Sequence, residues 1–420
     1  HPRVRRQRQM CIRDSGCAIL QAENSRGAYS AAEGKFIFGE RIKIMIKHLP
    51  PMGWNTWNTF AQNISEELIL QSADAMVETG LKDEGYEYIV IDDCWALRER
   101  DKAGNLVPDP AKFPHGMKYV ADYIHSKGLK FGMYSCCGTM TCARYPASYN
   151  HEFADAAAFA EWGVDFLKYD YCFKPNFADG KMLYRRMGLA LANCGRDILF
   201  SGCSWGADKT HEWIGSTGAN MWRSTGDIFD SWESVKSLIK QQYDILPFGG
   251  QGCFNDMDML IVGMNGRGNV GLTGCSENEY KLHFAAWCLL ESPLMIGCDI
   301  RSMTKETKAI LTNRALIDIQ QDPRCNRPYL FKFAGNDDFP IIVRALANGD
   351  IAVGFFNLSD APANLWVAAD DLGIPFLQGR TLVGTEVYTG SEKCAVNGTL
   401  SVDIEGHTCE VYRMKVKNTD

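Results

Sequence analysis

No run of this 420-residue sequence approaches the roughly 18 apolar residues that a membrane-spanning helix requires. Cysteine is abundant at 16 residues, yet repeated C-x-x-C pairs at zinc spacing are missing. That argues against a structural metal site. An excess of positive charge is missing too: 44 Lys and Arg stand against 51 Asp and Glu, a net charge of −7. Nothing electrostatic therefore points to nucleic acid or an anionic membrane as partner. No glycine-rich phosphate fingerprint follows the first apolar strand, which removes the main argument for a dinucleotide-binding sheet. A secretory leader is not apparent either. GCAILQA (16–22) is too short and poorly flanked, so the expected location is cytoplasmic.

What is present is a well-packed globule, 46% hydrophobic and 11% aromatic. Most cysteines fall in apolar strands, where they read as small core residues. The length calls for two domains. Residues 1–44, opening on Arg3, Arg5, Arg6, Arg8 and Arg13 without apolar periodicity, are read as an N-terminal extension, non-native or disordered in part, with Met45 as a sensible start.

From 45 to 322, short apolar runs alternate with helical stretches, the pattern of α/β architecture with a parallel sheet. Strands are predicted at 51–55, 87–92, 130–135, 164–169, 198–203, 220–224, 253–259 and 293–298. Helices are predicted at 65–80, with Ser65 as N-cap and Gly80 as stop, and at 116–127, 152–162, 181–194 and 232–243. Eight β/α units fit a (β/α)8 TIM barrel. From 323 to 420 the pattern turns to alternating strands (FPIIVRAL, GDIAVGFFNLS, RTLVGTEVY, GTLSVDI, GHTCEVYRMK), which predicts a C-terminal antiparallel β-sandwich.

The chemistry sits at strand ends. GVDFLKYDYCF (163–173) delivers Lys168 and Asp170, YEYIVIDDCW (86–95) delivers Asp92 and Asp93, and MWRSTGDI (221–228) delivers Arg223 and Asp227. Carboxylates gathered on the C-terminal rim of a barrel are what glycosidic cleavage requires: one to protonate the leaving oxygen, one to attack or direct water. A lone aspartate at a strand end is more often a cap. Six charged groups on three strands are not easily explained that way. Asp92, Asp93, Asp256 and Asp258 could together hold a cation, but no His joins them, so neither metal nor cofactor is expected.

The motifs MGWNTW (52–57), IDDCW (91–95), GMYS (132–135), FLKYDYC (166–172), CSWG (203–206), WRSTGD (222–227) and NDMDML (255–260) follow one another in register. Together they resemble glycoside hydrolase family 27, the α-galactosidases and α-N-acetylgalactosaminidases. The resemblance implies a retaining exo-glycosidase with Asp170 as nucleophile and Asp227 as general acid/base. It implies sugar contacts from Trp57, Asp92, Asp93, Tyr134, Lys168, Cys203, Trp205, Arg223 and Asp258, and a disulfide between Cys142 and Cys172. The expected partners are small-molecule or oligosaccharide α-galactosides, with oligomerisation left open. Where α-galactosidases of the family typically carry Cys-Glu-Trp, this chain has Cys203-Ser204-Trp205. Ser204 with Ala207 matches the spacing that admits an N-acetyl group at C2, which keeps α-N-acetylgalactosaminidase as the alternative. A non-catalytic galactoside-binding barrel is a third reading, opposed by retention of both Asp170 and Asp227. The charge of Asp170 is expected to raise the pKa of Asp227 and keep it protonated.

Overall fold

The computed structural model describes residues 49–250 and 252–418; the expectations for residues 1–44 and for Met45 lie outside the described residues. Eight parallel strands form one sheet: β1 Met52–Asn55, β2 Tyr88–Val90, β3 Lys130–Cys136, β4 Phe166–Asp170, β5 Leu199–Cys203, β6 Met221–Arg223, β7 Phe254–Asp256 and β8 Leu294–Ile296. Strand β8 pairs with β1, and a parallel bridge from Leu260 to Ile296 closes the ring on the other side. The fold is a (β/α)8 barrel, with each expected strand in place.

The two-residue period of a strand decides what each side chain faces. On β4, Leu167 and Tyr169 join the apolar layer beneath the outer helices, whereas Phe166 joins a separate cluster with Tyr88, Val90, Leu199, Met221, Phe254, Met259, Met295 and Cys325. That second cluster fills the barrel interior. Continuing the inward phase gives Lys168 and then Asp170, so the apolar fill stops where the chemistry begins. The same count carries β2 from Tyr88 and Val90 to Asp92, and β6 from Met221 to Arg223.

The expected helices are present: α1 Glu66–Glu78, α2 Gly116–Ser126, α3 Glu152–Trp162, α4 Gly180–Ala192 and α5 Trp232–Lys240. Ser65 caps α1 by accepting from the Leu68 amide, and Gly80, at φ 81°, follows its end. Further helices among the described residues were not expected, among them a short one at Trp57–Phe60 and the longer α6 Glu277–Leu289, α7 Lys305–Leu311 and α8 Arg314–Gln320. Helix α6 is buried on nearly every side, from Tyr280 through Leu289. A helix with no solvent face shows no amphipathic period.

The C-terminal strands are β9 Tyr329–Lys332, β10 Pro340–Ala345, β11 Ile351–Asn357, β12 Ala363–Ala368, β13 Arg380–Glu386, β14 Glu392–Cys394, β15 Thr399–Ile404 and β16 Thr408–Asn418. Six form an antiparallel sheet in the order β9-β10-β11-β16-β13-β14, and β12 pairs with β15. Val353, Phe355, Leu382 and Met414 of the first sheet meet Leu365, Val367, Leu400 and Val402 of the second in one core. This is the expected sandwich. Its other face, with Ile342, Ala352, Phe356 and Val411, joins the apolar layer around α6. Gly354 lets that helix approach, since a Cβ there would lie 2.5 Å from Leu289 Cδ2.

A buried ion pair fastens this contact. Arg344, fully buried on β10, donates to Glu291 Oε1 at 2.5 Å and to the carbonyls of Ile319 (2.8 Å) and Asn326 (3.1 Å). Burial pushes Glu291 up to about 7 against the pull of Arg344. Truncating Arg344 to Ala strands a buried carboxyl and two carbonyls. Urea denaturation should show a loss of about 3–5 kcal/mol, with kcat of the folded fraction unchanged.

Candidate active site

One pocket opens at the C-terminal rim of the barrel, about 510 Å³ including its mouth. Asp170, Asp227, Trp57, Asp92, Asp93, Tyr134, Lys168, Cys203, Trp205, Arg223 and Asp258 all line it. Ser204 and Ala207 do not. Strand phase explains the difference: Cys203 is an inward position, so Ser204 faces the other way. Its hydroxyl is fully buried 2.5 Å from Thr210 Oγ1, which corrects the expectation that Ser204 and Ala207 frame the C2 group.

Two buried cations organise the floor. Lys168 Nζ donates to Asp92 Oδ2 at 2.7 Å, and the Asn55 amide donates to the same oxygen at 2.8 Å. Burial works against the Lys168 charge, but Asp92 and Asp170 hold its pKa above the usual range. Arg223 lies 2.9 Å from both Asp258 Oδ1 and Asp227 Oδ1. Burial opposes its charge as well, and those aspartates keep it protonated. Asp258 is fixed in turn by the Ile228 amide at 2.7 Å.

Asp170 accepts from the Tyr134 hydroxyl (3.0 Å) and its neighbour's amide, Tyr171 N–H (2.8 Å). Burial raises its pKa from 3.8 to about 6, against Lys168 and these two donors. Asp227 behaves oppositely. Burial pushes it up, but the charge and hydrogen bond of Arg223, aided by Lys168, take it below 3.8. The expectation that Asp170 keeps Asp227 protonated is therefore corrected for the ligand-free protein: the guanidinium four residues upstream is the closer influence. Cys203 is pushed well above the usual thiol range by burial and by Asp170, so it stays a neutral wall.

The expected disulfide is present, joining Cys142 to Cys172 with Cα atoms 5.2 Å apart. It links the loops after β3 and β4 at the pocket. Cys142 Sγ sits 3.4 Å from Asp170 Oδ2, a contact without a donated hydrogen because the sulfur is oxidised. The next amide, Ala143 N–H, donates to Asp93 Oδ2 at 2.9 Å. One bridged loop thus steadies two site carboxylates.

Sequence reasoning missed Asn58, Ile228 and Val270 in the lining, and Asn55 behind Asp92. Asn55 was findable, since it ends β1 in the same phase that leads from Val90 to Asp92 on β2; Asn58 lies on the short helix Trp57–Phe60 that follows. Val270 arrives on a long excursion after β7 that carries no local signal.

Some of the backbone strain lies nearby. Trp205, Asp208, Lys209, Phe173 and Asp258 all have φ between 51° and 79°, a left-handed backbone that costs a non-glycine residue roughly 1–2 kcal/mol. Such outliers cluster where a site over-determines its loops.

The model of the alpha galactosidase A family matches residues 49–322, and that of the alpha galactosidase C-terminal beta sandwich domain matches 336–414. The chain belongs to the α-galactosidase family of glycoside hydrolase family 27. It is 42% identical to an alpha-galactosidase of Cyamopsis tetragonoloba over 404 residues, 96% of this chain and 94% of that one. Among solved structures it is similar to alpha-galactosidase I from Mortierella vinacea (TM-score 0.82, 32% identity, 90% and 99% of the two chains). It is also similar to a Saccharomyces cerevisiae alpha-galactosidase determined with raffinose (TM-score 0.77, 28% identity, 88% and 98%).

The raised pKa of Asp170 has a consequence for stability. Its folded value, about 6, exceeds the ordinary 3.8, so the native state binds the proton more tightly. The cost of the buried carboxylate is fully present above about pH 6, shrinks as pH falls from there, and is gone below about pH 4. Asp170→Asn should therefore stabilise the protein at pH 7 by up to about 3 kcal/mol. Thermal melts between pH 4 and 8 should show that gain shrinking toward acid.

Proposed function

We propose that the chain is a retaining, exo-acting α-galactosidase that releases terminal α-linked galactose from oligosaccharide α-galactosides. Asp170 attacks the anomeric carbon from the β face while Asp227 passes a proton to the leaving oxygen. Water, deprotonated by Asp227, then opens the β-galactosyl ester and restores the α anomer. The observation that carries this reading is one pocket holding two aspartates in contrasting settings. The Asp170 carboxyl is buried and fixed by two donors, as a nucleophile must be. The Asp227 side chain is 61% exposed, at the mouth where a leaving group departs and water enters.

The remaining lining residues fit a sugar rich in hydroxyls. Asp92 and Asp93 accept from the 4- and 6-hydroxyls, Lys168 donates to the 3- and 4-hydroxyls, and Arg223 faces C2. Asp227 is ionised in the free protein, so it must gain a proton before it can act as acid. A C2 hydroxyl that engages Arg223 loosens the Arg223–Asp227 pair and lets Asp227 take up that proton. The N-acetylgalactosaminidase alternative loses its main support with Ser204 turned away from the pocket.

Asp170→Gly should abolish turnover, and added azide should then yield β-galactosyl azide, read by NMR of the product. An α-azide contradicts the assignment of the nucleophile. Asp227→Ala should slow substrates with poor leaving groups about 10²–10⁴-fold, while activated aryl galactosides lose far less. Equal losses on both classes contradict the acid role.

A further inference from the structure

With Ser204 facing away, the pocket wall beside Arg223 is made by Cys203 and Trp205. Trp205 has a left-handed backbone, φ 57°, and is held from two sides. On one side, Gly206 N–H donates to the Arg223 carbonyl at 3.1 Å. A Cβ on Gly206, itself at φ 78°, would lie 2.5 Å from the Ser224 carbonyl oxygen, so this part of the loop is pressed against the end of β6. On the other side, the Trp205 ring packs edge-on against Tyr171, with centroids 6.3 Å apart and planes at 90°.

Tyr171 is itself tied to the loop that carries Trp205. Its hydroxyl donates to Asp208 Oδ2 at 2.6 Å, and Lys174 Nζ lies 3.8 Å from the same oxygen. Asp208 and the following Lys209 are both left-handed, at φ 52° and 51°, and the Asp208 carbonyl accepts from Trp213 Nε1 at 2.8 Å. Trp205, Tyr171 and Asp208 thus close a ring of contacts through residues 205–208. A backbone in this conformation needs such ties to persist.

We propose that Asp208, through its hydrogen bond to Tyr171, is a positioning residue that fixes Trp205 as the wall against the C2 substituent, so that the pocket accepts a hydroxyl there and excludes an acetamido group. The proposal rests on the galactosidase reading above. Asp208 acts at one remove from the sugar: its loss lets the 205–208 segment relax and Trp205 retreat, which widens the pocket beside Arg223. The effect is on discrimination between sugars, which general loosening of the fold does not produce.

The test compares kcat/KM for p-nitrophenyl α-galactoside and p-nitrophenyl α-N-acetylgalactosaminide in the parent, Asp208→Ala, Asp208→Asn and Tyr171→Phe, with thermal melts confirming folding. Asp208→Ala and Tyr171→Phe should each move the ratio toward the N-acetyl substrate by about fivefold or more. Asp208→Asn keeps an acceptor for the Tyr171 hydroxyl and should stay within about twofold of the parent. Combining Asp208→Ala with Tyr171→Phe should add little to either single change, because both delete the same bond. Should Asp208→Ala fail to fold, Tyr171→Phe, which removes one oxygen, decides alone by the same ratio. Equal losses on both substrates, or an unmoved ratio, overturn the proposal. A parent without galactosidase activity overturns the functional reading and this proposal with it, whereas an active parent with an unmoved ratio overturns this proposal alone.

Discussion

Two buried cations, Lys168 and Arg223, hold this site together. Each is desolvated inside the barrel and kept charged by a strand-end aspartate, Asp92 for the lysine and Asp258 for the arginine. Burying a charge is tolerable only when it is paired and hydrogen-bonded, and these pairs satisfy that condition where the apolar fill of the barrel ends. Everything else in the pocket answers to them. Lys168 opposes the desolvation of Asp170, and Arg223 draws Asp227 toward the ionised form.

The division of labour proposed for Asp170 and Asp227 follows from that placement. They differ in burial and in which cation lies closer, and so titrate in opposite directions from the same starting value. Pairs of acids pushed apart by their surroundings are a recurring means of assigning distinct roles. Arg223 pairs with Asp227, so under the proposed roles recognition at C2 and the protonation of the acid are linked through one side chain.

Much of this was legible in the residues. Eight strands and five helices follow from apolar periods, and the inward phase of β2, β4 and β6 leads directly to Asp92, Asp170 and Arg223. Helix Glu277–Leu289 escaped because it is wrapped on all sides. Strand Ala363–Ala368 escaped because Trp366 on its outer face is as apolar as Leu365 and Val367 on its inner face. Ser204 was misplaced by matching motif spacing while ignoring the alternation that puts Cys203, its neighbour, in the pocket. The charge state of Asp227 was misjudged by considering the two carboxylates alone; Arg223, four residues away in sequence, outweighs Asp170.

The central claim is that these cations set opposite protonation behaviour in the two aspartates of the free protein. Carbon-13 NMR of aspartate carboxyls, assigned through single Asp→Asn variants and followed from pH 2.5 to 8, measures it directly. The account predicts that Asp170 titrates near pH 6 and Asp227 below 3.8. Asp227 titrating above Asp170 in the ligand-free protein would contradict it.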